Sequence, residues 1–370
     1  LSIDHDISMI GSDGAEATII SGDDPDHISG PNLSLISHTN NIPELDELIY
    51  IEGFTLKDNW AGNGGAITIS GLKSDLTLQN LIITNNQGAN NGGGIWITGG
   101  TGDIILNNVI ILDNICSQRG GGIKIDGHHD VIMNNCVISG NHTQNGNSDL
   151  QGGAGIFLDE GSSATLNNVT VSGNEIDAIS AQGYGAGIYI YDPSSSIIIN
   201  GGSIEGNTNN SSAMLGSAIY SRGSVTLQNN VIITGNSSLG SVLYLTGNWS
   251  AFNFTDVQIY ENTGSKVINS YNSPTWNFTN VIIRDNTLTE GPVIVFDEGT
   301  GGTGSVFERL QITGHDFGAF YTERVDGEMT FNHCIFADNN LSGSDDYDAI
   351  YAVDIYGEET LVITNSILYT

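Results

Sequence analysis

The segment Asn80-Leu81-Ile82-Ile83-Thr84-Asn85-Asn86 recurs in kind at 108–114, 135–141, 168–174, 230–236, 256–262, 280–286 and 333–339. A unit that returns every 24–33 residues or so is too small to bury its own apolar face. Each copy must therefore close against the next, and the chain must build a solenoid instead of a set of globular domains.

Alignment on the terminal Asn turns the repeat into a register. Positions five and three before it alternate as inward pairs, among them Leu81/Ile83, Val109/Ile111, Val169/Val171, Val257/Ile259 and Cys334/Phe336. Alternation of β-branched residues with period two is the mark of a half-buried strand. A second strand precedes it, with inward pairs Leu76/Leu78, Ile104/Leu106, Phe252/Phe254 and Trp276/Phe278. One residue separates the two: Asn80, Asn108, Asn135, Asn168, Asn230, Asp256, Asn280 or Asn365, with Gly53 and Gly201 in two further copies. A one-residue corner needs a left-handed backbone, which Gly and then Asn tolerate best, and stacked Asn side chains could pass amide hydrogen bonds between copies there. A third strand opens on small residues, as in Gly92-Gly93-Gly94-Ile95 and Gly120-Gly121-Gly122-Ile123. Glycine columns of this kind signal a bend or a close backbone approach.

These elements predict an all-β parallel β-helix with three short strands per coil and about thirteen coils. It forms one domain over 1–370, with an incomplete first coil at 1–32 and regular coils from 33 to 370. The connections at 142–151, 174–183, 207–215 and 340–348 are polar and read as bulges from one edge. Leu1 already reads as strand, as in a processed or trimmed chain. Residues 1–10 and 361–370 carry no polar cap, which suggests that neighbouring domains or other copies of the chain cover the two ends.

The pattern resembles the right-handed parallel β-helix proteins of the pectin-lyase-like superfamily. The Gly-Gly-Ala-Ile and terminal-Asn signature is most similar to repeats of polymorphic outer-membrane proteins and other bacterial surface proteins. The likeness covers residues 33–370 and implies an extracellular or cell-surface location. It leaves function open, because the superfamily holds lyases, hydrolases, adhesins and passenger domains alike.

Composition narrows the partners. Nine Lys and Arg stand against 42 Asp and Glu, a formal charge of −33, so nucleic acid and anionic membranes are excluded. No apolar run reaches the roughly 20 residues of a membrane helix. Cys136 and Cys334 occupy an inward repeat position and read as buried small hydrophobes, while Cys116 falls in a connection.

Superfamily members that cut polysaccharides carry acids and a basic residue on the outer face of the glycine-led strand. On that face the first outward column holds Thr68, Trp96, Lys124, Phe157, Tyr189, Tyr220, Tyr244, Asn269, Val295, Tyr321 and Tyr351. The second column includes Asp126, Asp159, Tyr191, Arg222, Thr246 and Tyr271. Asp126 and Asp159, on adjacent coils with Lys124 beside them, are the candidate catalytic carboxylates. Seven of the eleven residues in the first column are aromatic, in a chain only 8% aromatic. Half-exposed, these rings would bare on the order of 700 Å², more than a monomer usually shows. Trp96, Phe157, Tyr189, Tyr220, Tyr244, Tyr321 and Tyr351 are thus the candidate binding stripe, for a protein surface or for glycans. No cofactor is called for, calcium excepted, with Asp23, Asp24, Asp345 and Asp346 as candidate ligands in compact acidic turns. The expected function is that of a non-enzymatic surface β-helix serving as spacer, adhesin or self-assembling, fibre-forming subunit. The alternative is a β-helix that binds or cleaves polysaccharide.

Overall fold

Each inward pair of the repeat meets its copy on the next coil, and the strands stack in parallel with the register the sequence implies. Along one ladder Ile95 pairs with Ile123 and Ile97 with Ile125; along another Ile104 pairs with Val131 and Leu106 with Met133. A computed structural model describes residues 2–3, 7–22, 33–39, 49–144, 151–177, 183–211, 215–247, 250–272, 275–297, 304–324, 328–339, 350–354 and 360–369. Among these the chain is a β-solenoid of three sheets. The glycine-led sheet carries thirteen strands in succession from Ser2–Ile3 to Ile350–Asp354, with Gln151–Gly152 and Gly183–Tyr184 beside them. The sheet on either side of the Asn corner has 22 strands, and the third sheet has nine, from Trp60–Asn63 to Thr287–Leu288. The expectation of thirteen coils is thus corrected to about ten turns. Thirteen counts the rungs of one sheet, and the third sheet does not reach the first or last of them.

The one-residue corner takes the backbone expected of it. Asn80, Asn108, Asn135, Asn168, Asn230, Asp256, Asn280 and Asn365 all have φ between 51° and 64°, and Arg309 and His333 take the same conformation in two other coils. In four coils pairing continues through the corner, so that the two expected strands form one of ten residues, as in Ser163–Ser172 and Thr275–Arg284. Two adjacent glycines show why the third strand opens as it does. Gly92 sits at φ 58°, and a Cβ on Gly93 would lie 2.1 Å from the Gly121 carbonyl oxygen.

A fuller amide ladder runs along the terminal Asn, where the sequence reading did not place one. Asn86, Asn114, Asn141, Asn174, Asn207, Asn236, Asn262 and Asn286 are buried. Each of the first seven donates from Nδ2 to Oδ1 of the next, at 2.9–3.1 Å. Each also passes a second N–H to a backbone carbonyl inside the core, as Asn114 does to Ile83 and Asn174 to Ile138. At the corner, by contrast, the stacked amides are exposed.

His315 extends this ladder. Its Nε2 faces Asn286 Nδ2 at 3.2 Å and its Nδ1 faces Asn339 Oδ1 at 3.1 Å. Every amide in the column donates toward the C-terminal end, so His315 must accept at Nε2 and donate at Nδ1. That requirement selects the neutral Nδ1–H tautomer.

The connections read as bulges begin instead as strands of the third sheet: His142–Gln144, Glu175–Asp177 and Thr208–Asn209. Cys116 lies in another, Ile115–Cys116, and is buried rather than in a loop; burial pushes its thiol up to about 12 and leaves it inert. The expected connection at 340–348 falls outside the described residues. Strands of two or three residues are too short to show an alternation in the sequence.

Aliphatic side chains fill the early coils, and aromatic ones the later. Phe252 and Trp276 pack with tilted rings at 4.7 Å, while Phe254 and Phe278 stack at 4.7 Å and Phe307 and Phe331 at 4.6 Å. Trp276 is fully buried, yet its indole N–H has no partner. Trp276→Phe should therefore cost less than about 2 kcal/mol, because the ring contacts largely survive and an unmet donor disappears. Urea unfolding reads the change; a loss above about 3 kcal/mol would show that the donor is satisfied.

Candidate functional site

The outward columns of the glycine-led sheet lie in the register expected. Trp96 pairs with Lys124, Lys124 with Phe157, Phe157 with Tyr189, Tyr189 with Tyr220, Tyr220 with Tyr244, and at the far end Tyr321 with Tyr351. Asp126 pairs with Asp159.

Exposure departs from expectation. Phe157 and Tyr189 are fully buried and Tyr220 is 4% exposed, so the middle of the stripe is not a half-bare platform. Tyr184, carried on the short strand Gly183–Tyr184, lies 5.4 Å from the Tyr189 ring and 4.8 Å from that of Tyr220, and Leu215 packs against the same group. Burial pushes the Tyr189 phenol well above its ordinary value, and its hydroxyl has no hydrogen-bond partner. Trp96, Tyr244 and Tyr321 are half-buried and Tyr351 is exposed.

The acidic pair has unlike members. Asp126 Oδ2 lies 2.7 Å from Lys124 Nζ and accepts a 3.0 Å hydrogen bond from Trp96 Nε1, while Oδ1 is buried without a partner. Burial raises the Asp159 carboxyl above its usual range and the charge of Asp126 adds to this, against the Glu160 N–H, Lys124 and Arg119. Environments that separate two carboxylates are what acid–base catalysis needs. Access is what Asp126 lacks, at 6% exposed with Lys124 at 7%, while Asp159 is half-buried. Lys124 and Asp126 form a buried ion pair, which limits the approach of a glycosidic oxygen to that carboxylate.

Beyond the pair, cations and rings alternate along the strip. Lys124 lies 5.6 Å from the Phe157 ring, Arg119 lies 5.3 Å from both Phe157 and Tyr191, and Arg222 lies 4.8 Å from Tyr191. The row ends at an open cleft of about 510 Å³ lined by Pro193, Tyr220, Arg222, Tyr244, Thr246, Gly247, Ser250, Tyr271 and Asn272. Tyr220 and Tyr244 stack in parallel planes at 5.2 Å. Ser250 Oγ donates to the Arg222 carbonyl oxygen at 2.8 Å, which ties the far wall to the sheet.

Tyr220 and Tyr244 come from the expected stripe. Arg222, Thr246 and Tyr271 belong to the second outward column, where the sequence singled out only the acids. Their common column was the available signal; that they enclose a cleft with Pro193 and Ser250 depends on the turns between strands.

Among the described residues no cluster of His, Cys, Asp and Glu could hold a metal ion. The calcium candidates Asp23, Asp24, Asp345 and Asp346 lie outside the described residues. No helix among the described residues is long and apolar enough to cross a membrane.

Comparison with known proteins agrees with the fold and goes no further. No curated protein and no solved structure matches the chain. The narrower likeness to polymorphic outer-membrane-protein repeats is not confirmed. The family described as right handed beta helix region matches residues 44–232, just over half of the chain. With strands stacked in parallel through that segment and beyond it, the chain belongs to the right-handed β-helix family.

Proposed function

We propose that the chain is a non-catalytic, extracellular glycan-binding β-helix, an adhesin-like rod whose outer face docks a polysaccharide. The observation that carries this reading is the cleft at Tyr220, Tyr244 and Tyr271. Rings set on a rigid sheet offer apolar faces to the C–H faces of sugars, and Thr246, Ser250 and Asn272 supply hydroxyl and amide groups for sugar hydroxyls. Strand-borne sites are pre-organised, which reduces the ordering cost of binding. Cleavage is disfavoured on the same grounds: among the described residues the cleft is lined by no carboxylic acid, and Asp126 is covered.

Tyr244→Ala and Tyr271→Ala should each weaken binding about tenfold, or roughly 1.4 kcal/mol, in affinity electrophoresis through a panel of polysaccharides. Asp159→Asn should leave retention unchanged, and reducing-end release from the same panel should stay at the level of a blank. Release by the parent chain that Asp159→Asn abolishes would make the protein a glycosidase instead. Retention that neither tyrosine change affects would remove the cleft from the reading.

A further inference from the structure

We infer that the sugar taken by this cleft is anionic, bearing a carboxylate or a sulfate ester that Arg222 contacts directly; the inference rests on the glycan-binding reading above. Its basis is a mismatch between the cleft and the rest of the chain. Acids outnumber bases by 42 to 9 over the sequence, yet the nine lining residues include one arginine and no acid.

Arg222 also differs from four other cations that stand beside acids. Lys57 is paired with Asp58 at 3.2 Å, Lys124 with Asp126 at 2.7 Å, Arg284 with Asp285 at 2.6 Å and Arg309 with Glu308 at 3.5 Å. Arg222 has no carboxylate partner among the described residues. Asp192 adjoins the lining residue Pro193 in sequence, and its Oδ1 is taken by the Ser194 N–H at 2.7 Å and by Ser194 Oγ at 2.5 Å.

The guanidinium is held in place without being neutralised. It lies over the Tyr191 ring, and the Arg222 backbone is fixed by its N–H to the Ile190 carbonyl at 3.0 Å and by Ser250 at its own carbonyl. Stacking occupies the face of the guanidinium and Tyr220 takes one side-chain hydrogen bond from it, which leaves its remaining edge donors for a planar carboxylate or a sulfate. A half-buried cation without a counter-ion is costly, and an anion entering the cleft relieves that cost. Because the whole chain repels anions at long range, the preference is read at contact and not by steering.

The test uses the intact chain and three probes: an oligouronate of about six sugars, the same oligosaccharide after carboxyl reduction, and a sulfated form of that neutral product. Titration calorimetry should show an anionic form binding at least tenfold tighter than the neutral one, and the comparison of uronate with sulfate identifies the anion. Arg222→Gln should abolish the difference between anionic and neutral forms, and Arg222→Lys should restore part of it. Equal affinity for neutral and anionic forms would overturn the inference and leave the glycan cleft standing. Binding to none of the three would overturn both. An anion preference that survives Arg222→Gln would remove Arg222 from the role.

Discussion

Asn174→Ala should lower the stability of the solenoid by about 3–5 kcal/mol, although the substitution is small and lies far from the cleft. The Asn174 side chain accepts from the Asn141 backbone N–H and Nδ2, each at 3.0 Å. It donates to the Ile138 carbonyl at 3.0 Å and to Asn207 Oδ1 at 2.9 Å. Alanine strands two donors of Asn141 and removes a donor from the Ile138 carbonyl, all without access to water. Each orphaned buried group costs about 1–3 kcal/mol, and the ladder's mutual polarisation is lost as well. The comparison is Asn280→Ala at the exposed corner, where the Asp256 contact is wet and the main loss is the left-handed backbone, about 1–2 kcal/mol. Hydrogen exchange at Asn141 and Glu175, together with urea unfolding, measures both. A loss under about 1 kcal/mol for Asn174→Ala would mean that the ladder contributes little.

His315 should make the later coils acid-sensitive. In its ladder position Nε2 must accept from Asn286, so a second ring proton sets a donor against a donor. Burial holds the imidazole below its ordinary value, opposed by the hydrogen bond to Asn339 and by the charges of Asp285 and Asp316, the two acids that face it. A folded value below the unfolded one means that the unfolded chain binds more protons in that window. The contribution is therefore complete above about pH 6.5 and is lost as pH falls toward the folded value, by at most about 1.4 kcal/mol per pH unit. Asp159 and Glu175, whose carboxyls are raised by burial, titrate with the opposite sign, so the useful quantity is a difference. His315→Asn restores the residue found in the other coils and should flatten stability between pH 7.5 and 5. Parallel curves for the two chains over that range would refute the assignment.

The acid pair shows how far linear reasoning reaches. Asp126 opposite Asp159, and Trp96 opposite Lys124, follow from the repeat, because a buried face locks strand register and a slip of one residue would turn every inward pair outward. Whether Asp126 could do chemistry does not follow. Trp96 from the preceding coil and Lys124 from the same strand close over it, and period-two alternation marks only which face a residue takes.

What the sequence determined by itself is the solenoid: parallel stacking, inward pairs, left-handed Asn corners and the membership of each outward column. These depend on local backbone preference and on a periodicity repeated often enough to read. The tertiary structure alone decided which outward residues meet solvent. Tyr184 covers Tyr189, while the turns at Pro193 and Ser250 wall a cleft around Tyr244 and Arg222. It also decided that the terminal Asn, and His315 among them, form a buried wire. The repeat makes residues equivalent in the chain, but unequal connections between coils give them different neighbours, and exposure, pairing and ligand contact belong to the neighbours.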